Sequence, residues 1–274
     1  MKKKQIIPKL SIITASFNQA RFIERTILSV IEQNHSNTEL IIIDGGSTDN
    51  TLEILNKYDD KIIYWISEPD NGQTDAINKG FKHATGDFVC FQNSDDIFLP
   101  GTFDKFVSAM NKNPKKDLFY GNFKHIDSND NILDIQKLMP TNFFLQVFKG
   151  PLIHNQACFW KRDIFDKIGM LDETYKFDLD YEFFTRVLFY GYKSYFINDF
   201  LGALRHHELT KTSNLGDVSK AEMARVKTTY KSKSFVTKVI PLNLGKWIGT
   251  LCKVTYHILN NDINYLSRKR YKFK

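Results

Sequence analysis

The sequence predicts an α/β fold: a central, mostly parallel sheet flanked by helices, followed by a helical basic tail. Two observations carry this. Between residues 10 and 91, short apolar runs of strand length alternate with segments of helical period. Two of those runs, residues 40–43 and 88–91, stop at polar clusters rich in acids: Asp44-Gly45-Gly46-Ser47-Thr48-Asp49 and Asn93-Ser94-Asp95-Asp96. The carboxyl ends of strands in open α/β sheets are where nucleotides and metals gather. Two such ends in one unit suggest a site for a nucleotide and a divalent cation.

Residues 10–14 read as a buried strand. Over residues 20–33, Phe22, Ile23, Ile27, Val30 and Ile31 share one helical face. Residues 40–43 form the second strand, and Ser47 or Asp49 is a candidate cap for a helix carrying Leu52, Ile54 and Leu55. Residues 62–66 give a third strand, ended by the turn signal Glu68-Pro69-Asp70-Asn71-Gly72. Residues 73–84 return to helix, and 88–91 form the fourth strand. Short, uniformly apolar strands fit a sheet covered on both faces.

After Pro100 the pattern changes. Residues 102–112 read as helix, and 118–120 and 122–127 as two strands separated by Gly121. Asn129-Asp130-Asn131 is a turn, 140–170 is aromatic and mixed with a strand at 157–160, and 181–189 is an amphipathic helix. Residues 202–216, polar with Gly202 and Gly216, read as a loop. The expected divisions are 1–101, 102–216 and 217–274, the first two being halves of one domain that bind different things.

A 274-residue chain with 42% hydrophobic residues can bury a sizeable core. Its net charge of +7 suggests nucleic acid until the charge is located. The last fifty residues hold twelve Lys or Arg and one acid, net +11, which leaves residues 1–224 at −4. An acidic body has no basic groove, so no nucleic-acid partner is expected. Cys90, Cys158 and Cys252 form no C-x-x-C pair, which fits buried thiols in a reducing compartment rather than a zinc site. Met1-Lys2-Lys3-Lys4 starts like a signal peptide, but Pro8-Lys9 breaks the apolar run that follows. No stretch approaches the roughly 18 apolar residues of a spanning helix, so a soluble or surface-bound protein is expected.

The segments Ser11-Ile12-Ile13-Thr14-Ala15-Ser16-Phe17-Asn18, Ile43-Asp44-Gly45-Gly46-Ser47-Thr48-Asp49 and Asn93-Ser94-Asp95-Asp96 resemble a family 2 glycosyltransferase of the GT-A fold. Glu68-Pro69-Asp70-Asn71-Gly72-Gln73-Thr74-Asp75-Ala76-Ile77-Asn78-Lys79-Gly80 resembles a subgroup of bacterial polysaccharide (O-antigen-type) assembly. The resemblance is specific over residues 9–101, patchier to about residue 215, and absent from the tail. It implies an inverting enzyme that moves a sugar from a nucleotide-sugar donor, a UDP- or dTDP-sugar favoured, to a hydroxyl of a saccharide or lipid-linked acceptor. Mg or Mn is the implied cofactor. Residues 1–101 would hold the donor, and 102–216 the acceptor and base.

The resemblance also assigns residues. Asn93 takes the first place of the family's D-x-D motif and Asp95 the second, as metal ligand; Ser94 lies between them at the donor. Asp44 matches the acid that holds the nucleobase, with Gly45 where many members carry a second acid or Asn. Ala15 and Ser16 fall where the chain passes the base. Asp75 and Lys79 belong near ribose and diphosphate, or form a surface ion pair of i,i+4 type. Phe177-Asp178-Leu179-Asp180-Tyr181-Glu182 resembles the start of the helix that bears the catalytic acid. Asp180 is the implied base, Leu179 replaces the customary Glu, and Asp178 and Glu182 compete for the role. His207, after Arg205-His206, is the implied second metal ligand, or else grips the diphosphate. His154, Gln156 and Trp160 line the acceptor pocket or the edge of the core.

The tail lies outside the resemblance. Leu244, Trp247, Ile248, Leu251, Thr255, Ile258 and Leu259 recur at helical spacing, Lys246 and Lys253 lie off that stripe, and Arg268-Lys269-Arg270, Lys272 and Lys274 follow. An apolar face with Trp beside basic flanks describes a helix in a membrane interface. The expected location is the cytoplasm, peripheral at the inner face of the cell membrane, through an anionic lipid surface. A helix packed back on the catalytic domain is the alternative reading of the tail. The alternative function is an inert nucleotide- or sugar-binding module on the same fold.

Overall fold

The structure, a computed structural model, describes residues 5–208, 210 and 216–268. Among these, nine strands form one sheet in the order β3-β2-β1-β4-β8-β6-β9-β5, with β7 paired to β6. Its first half is parallel: β1 (Leu10–Ser16) lies between β2 (Thr38–Asp44) and β4 (Phe88–Asn93), and β3 (Tyr64–Ser67) borders β2. Leu10, Ile12, Ile13, Ile41, Ile42, Ile43, Val89 and Cys90 are completely buried, as strands sandwiched by helices must be.

Helices α1 (Ile23–Ile31), α2 (Thr51–Lys57) and α3 (Gln73–His83) supply that cover. In α1 the buried residues are Ile23, Thr26, Ile27 and Val30, the spacing of a single face. At the start of α2, Asp49 accepts from the Thr51 N–H at 3.0 Å, while Ser47 turns back to Asp44.

Beyond β5 (Ile97–Phe98) and α4 (Thr102–Lys112) the sheet becomes mixed. β6 (Leu118–Ile126) is antiparallel to β7 (Ile132–Gln136) and β8 (Cys158–Lys161), and parallel to β9 (Ser194–Arg205). Two sequence expectations change here. Residues 118–126 are one strand, because an irregularity against β9 at Gly121, Asn122 and Phe123 absorbs the break. Residues 202–205, expected in a loop, complete β9, where Gly202 pairs with Phe98 and Phe123, and Arg205 with Ile126. The rest of that expected loop lies partly outside the described residues.

Helices α5 (Phe143–Lys149), α6 (Ile164–Ile168) and α7 (Leu179–Phe189) cover this half. Asn142 caps α5 by accepting from the Leu145 N–H at 3.0 Å. The tail forms α8 (Gly216–Lys233), α9 (Phe235–Val239), α10 (Leu242–Leu259) and α11 (Ile263–Ser267). Helix α10 rests on α5 through its small residues. A Cβ on Gly245 would stand 2.1 Å from the Phe148 ring, and one on Gly249 would stand 3.5 Å from the Lys149 Cβ. Its apolar stripe faces outward: Trp247 is 63% exposed and Leu251 50%. The tail therefore packs back on the domain and still presents the expected apolar face.

Candidate active site

A cleft of about 680 Å³ opens at the carboxyl ends of β1 and β4 and is closed from the other side by the start of α7. Ala15 and Ser16 form its wall at the end of β1, and Asn93, Ser94 and Asp95 at the end of β4. Asp178 and Asp180 enter from the first turn of α7, and His154 and Gln156 from the turn before β8. These residues, up to 165 positions apart in sequence, meet here: the parallel strands β1 and β4 bring their ends to one edge, and α7 and the turn before β8 close over it.

Below Asp95 lies a buried carboxylate that sequence reasoning missed. Asp96 is inaccessible to solvent and accepts from Asn93 Nδ2 at 2.8 Å, Gln156 Nε2 at 3.0 Å and the Arg205 N–H at 2.8 Å. Burial and the neighbouring Asp95 charge push its carboxyl well above the usual carboxylate range, against the pull of those donors. Gln73 Nε2 in turn donates to Asn93 Oδ1 at 2.7 Å, which fixes the amide orientation. The buried Arg205 donates to the Asp95 carbonyl at 2.7 Å and pairs with Asp130 on the turn after β6. Asn93 and Gln156 are thus positioned by Asp96 and Arg205, whose motif neighbours gave no sign of that role.

His207 Nε2 lies 3.0 Å from Asp95 Oδ2, with its ring 4.4 Å from that of Phe22. A carboxylate oxygen and an imidazole nitrogen thus converge beside the cleft. Among the described residues no third His, Cys, Asp or Glu joins them as a metal site. A cation held here would draw on one carboxylate oxygen and one imidazole nitrogen and would complete its shell with oxygens of water or a ligand. Behind it, His125 and His206 share a hydrogen bond of 2.8 Å, and burial holds both rings down to about 4, neutral at neutral pH.

At the other wall, burial and the Asp178 charge raise Asp180 to about 7, despite the N–H groups of Tyr181 and Asn155. Burial raises Asp178 to about 6, opposed by the nearby Ser219 of α8. Glu182, the third acid, is committed elsewhere: it accepts from Tyr230 Oη at 2.6 Å and pairs with Arg186 at 3.0 Å. Helix α8 shapes this wall. Glu222 accepts from the N–H groups of Lys176, Phe177 and Asp178 at 2.7–2.9 Å, and Ser219 and Met223 line the cleft. The tail is part of the site, which no motif in the sequence announced.

Other assigned residues stand back from the cleft. Asp44 is buried under the loop it organises, accepting from the N–H groups of Gly46 and Ser47 and from the hydroxyls of Ser47 and Ser67. Beside it, Asp70 reaches the wall: a Cβ on Gly45 would stand 2.6 Å from Asp70 Oδ2. Gly45 leaves room for that carboxylate. Asp75 accepts from the Asn71 N–H, and Lys79 pairs with Glu68 at 3.0 Å and Asp75 at 3.5 Å, an ion-pair group outside the cleft wall. Trp160 is a core residue, not an acceptor platform: it is fully buried among Phe81, Phe91, Phe165, Phe183 and Phe184. A run of aromatics at a strand does not say which face each ring takes.

Four buried polar atoms on the wall have no hydrogen-bond partner among the described residues: Ser16 Oγ, Asn155 Nδ2, Arg205 Nη2 and Asp178 Oδ2. Buried polar groups are normally paired.

Residues 11–169 match the family described as Glycosyl transferase family 2. The chain is 34% identical over 184 residues to an uncharacterized glycosyltransferase of Mycobacterium tuberculosis, covering 65% of this chain and 68% of that one. It is 29% identical over 186 residues to a PGL/p-HBAD biosynthesis glycosyltransferase of Mycobacterium bovis, covering 65% and 69%. Among solved structures, Staphylococcus aureus TarS 1–349 in complex with UDP-GlcNAc superposes with a TM-score of 0.65 at 17% identity, covering 95% of this chain and 76% of that one. A mannosyltransferase of Pyrobaculum calidifontis in complex with GDP-Man and Mn2+ superposes with a TM-score of 0.57 at 14% identity, covering 95% and 85%. These two likenesses confirm the GT-A-type architecture.

Proposed function

The chain belongs to glycosyl transferase family 2, and from that premise we propose that it is an inverting transferase moving a sugar from a nucleotide-sugar to an acceptor hydroxyl. The observation that carries this reading is the meeting of Asp95 and Asp180 on one cleft. A module that only binds has no use for a second carboxylate placed across the cleft from Asp95.

Ser16 and Asp70 face the nucleoside end, where the Asp70 carboxylate accepts the imide N–H of a uracil or thymine base. That supports a UDP- or dTDP-sugar, and the solved relatives bind UDP-GlcNAc and GDP-Man. Asn93 and Ser94 face the ribose and diphosphate. Asp95 and His207 would hold Mg or Mn, which when bound neutralises charge on the departing diphosphate. Asp180 accepts the proton of the acceptor hydroxyl as its oxygen attacks the anomeric carbon. The bond from that carbon to the diphosphate oxygen breaks on the opposite side, so the anomeric configuration inverts. Gln156 and His154 orient the acceptor.

The acceptor class we favour is a saccharide, free or lipid-linked, in the assembly of a cell-surface polysaccharide. The basic tail would hold the enzyme at the inner face of the cell membrane. The test is a panel of UDP-, dTDP- and GDP-sugars with Mn, read first as thermal stabilisation and then as product anomer by NMR. Stabilisation by one donor and an inverted product are expected. Absence of stabilisation by every donor, or a retained configuration, would overturn the mechanism.

A further inference from the structure

Helix α8 carries Lys220, Met223, Ala224, Lys227, Thr228 and Lys231 on one face, and with Leu242 and Lys246 of α10 they enclose about 320 Å³. Four ammonium groups border this pocket, and no acid lines it. Two are engaged: Lys220 pairs with Asp217 at 2.8 Å, and Lys231 donates to the Lys238 carbonyl at 3.1 Å. Lys227 and Lys246 have no ion-pair or hydrogen-bond partner among the described residues. Lys227 is half-buried, and burial together with the Lys246 charge disfavours its protonated form. Lys246 is exposed and Asp178 acts on Lys227 from beyond ion-pair distance, so an anion bound between the two ammonium groups would relieve their mutual repulsion.

Three features say which anion. Lysines act as flexible point charges and suit phosphate groups. The pocket is amphipathic, with Met223, Ala224 and Leu242 among the ammoniums. Leu242 is also the first residue of α10, whose exposed stripe of Leu244, Trp247 and Leu251 runs on from it. A phosphate carried on an isoprenoid-like or acyl chain satisfies both halves; a free sugar satisfies neither.

The pocket also communicates with the cleft. Met223 is a wall of both. The Lys227 Nζ stands 3.8 Å from where a Cβ on Gly150 would lie, next to Pro151 of the cleft wall. Its charge also acts on Asp178. We propose that this lysine pocket binds the phosphate of a lipid-linked diphosphate acceptor, directing the acceptor's sugar toward Asp180. The inference rests on the transferase reading above and names the acceptor class and its anchor.

The test uses the full chain and farnesyl diphosphate as probe, with inorganic pyrophosphate and farnesol as its separated halves. Binding is read by Trp247 fluorescence and calorimetry. Farnesyl diphosphate is expected to bind roughly tenfold or more tighter than either half. The double variant Lys227→Gln/Lys246→Gln is expected to weaken it by about tenfold or more, as loss of charge-assisted contacts requires, with UDP affinity unchanged. If that variant does not fold, Lys246→Glu alone, at an exposed position, is expected to produce the same loss. Unaltered affinity in a folded variant overturns the proposal. Pyrophosphate binding as tightly as farnesyl diphosphate overturns it in favour of a free-phosphate site. UDP binding without farnesyl diphosphate binding defeats this inference alone, whereas failure of the wild type to bind any nucleotide-sugar defeats the functional reading.

Discussion

Asp180 can take a proton only when it has lost its own, and its neighbours set the pH at which that happens. Burial and the Asp178 charge raise it to about 7. The charged form is the active one, so kcat/KM should fall as pH drops below about 7 and level off above it. Asp178→Asn removes the neighbouring charge and should move that acid limb to lower pH, a shift that a purely structural residue would not cause. Asp180→Asn is nearly isosteric and should lower kcat by roughly 10²-fold or more, with donor affinity held; a dead Glu182→Gln variant with a live Asp180→Asn would reassign the base. Asp95→Ala should abolish Mn-dependent nucleotide binding and turnover while the melting temperature stays near wild type; turnover undiminished in excess chelator would remove the metal role. What was legible in the sequence is that Asp95 and Asp180 would line one cleft, because their motifs and their positions on the chain agree. Asp96, Arg205 and Glu222 were not legible, because their importance lies in burial and in partners about 60 to 110 positions away or on another helix. Asp70 became meaningful only once Gly45 was seen to make room for it.

At the scale of elements, polar pins hold the parallel half of the sheet together. Glu39, on β2, is 5% exposed and accepts from Ser11 Oγ, from the Thr85 N–H and from Lys9, joining β1, β2 and the turn before β4. Burial alone would raise its carboxyl, but these donors bring it down from 4.5 to about 2. A depressed folded pKa means stability that is present above the unfolded value and lost as pH falls through the folded one. Glu39→Gln should therefore destabilise by on the order of 2 kcal/mol at neutral pH. The gap between variant and wild type in urea melts should close between pH 4.5 and 2; a gap independent of pH would show that the charge is irrelevant. The contact between α10 and α5 is pinned sterically. Gly245→Ala puts a methyl where the Phe148 ring lies and should cost about 1–3 kcal/mol, read as a lower melting temperature. Both features explain what could be read in advance. Strands β1 to β4 were legible because buried parallel strands are unbroken apolar runs. The end of β9 was not, because Gly202-Ala203 carries no strand signal and is held there by β6 and β5 on either side. Helix α10 was legible as amphipathic, but its glycine face against α5 was not.

For the molecule as a whole, charge and apolar exposure are concentrated at one end of the chain. Residues 1–224 carry −4 and the last fifty +11. No helix among the described residues is long and apolar enough to cross a membrane. Yet the same segment exposes Phe235 at 81%, Val236 at 59%, Val239 at 61% and Trp247 at 63%, with Lys231, Lys233, Lys238 and Lys246 among them. Side chains of this kind gain when they leave water, by about 25 cal/mol per Å² of apolar surface. Each Lys near an anionic leaflet adds about 1 kcal/mol, screened by salt. The two terms together are what reversible surface docking needs, and neither alone suffices. The 274-residue chain should therefore co-sediment with vesicles containing anionic lipid, less with neutral ones, and less as salt is raised. The triple variant Leu244→Glu/Trp247→Glu/Leu251→Glu changes only exposed positions of α10, so the fold should survive. It places three carboxylates against an anionic surface and should reduce partitioning by roughly tenfold or more. Transfer to a water-soluble acceptor should remain near wild type in that variant, because none of the three substituted residues lines the cleft. Transfer to an acceptor embedded in vesicles should fall in step with binding. Equal partitioning of variant and wild type, or binding insensitive to both lipid charge and salt, would leave the exposed stripe without a membrane role.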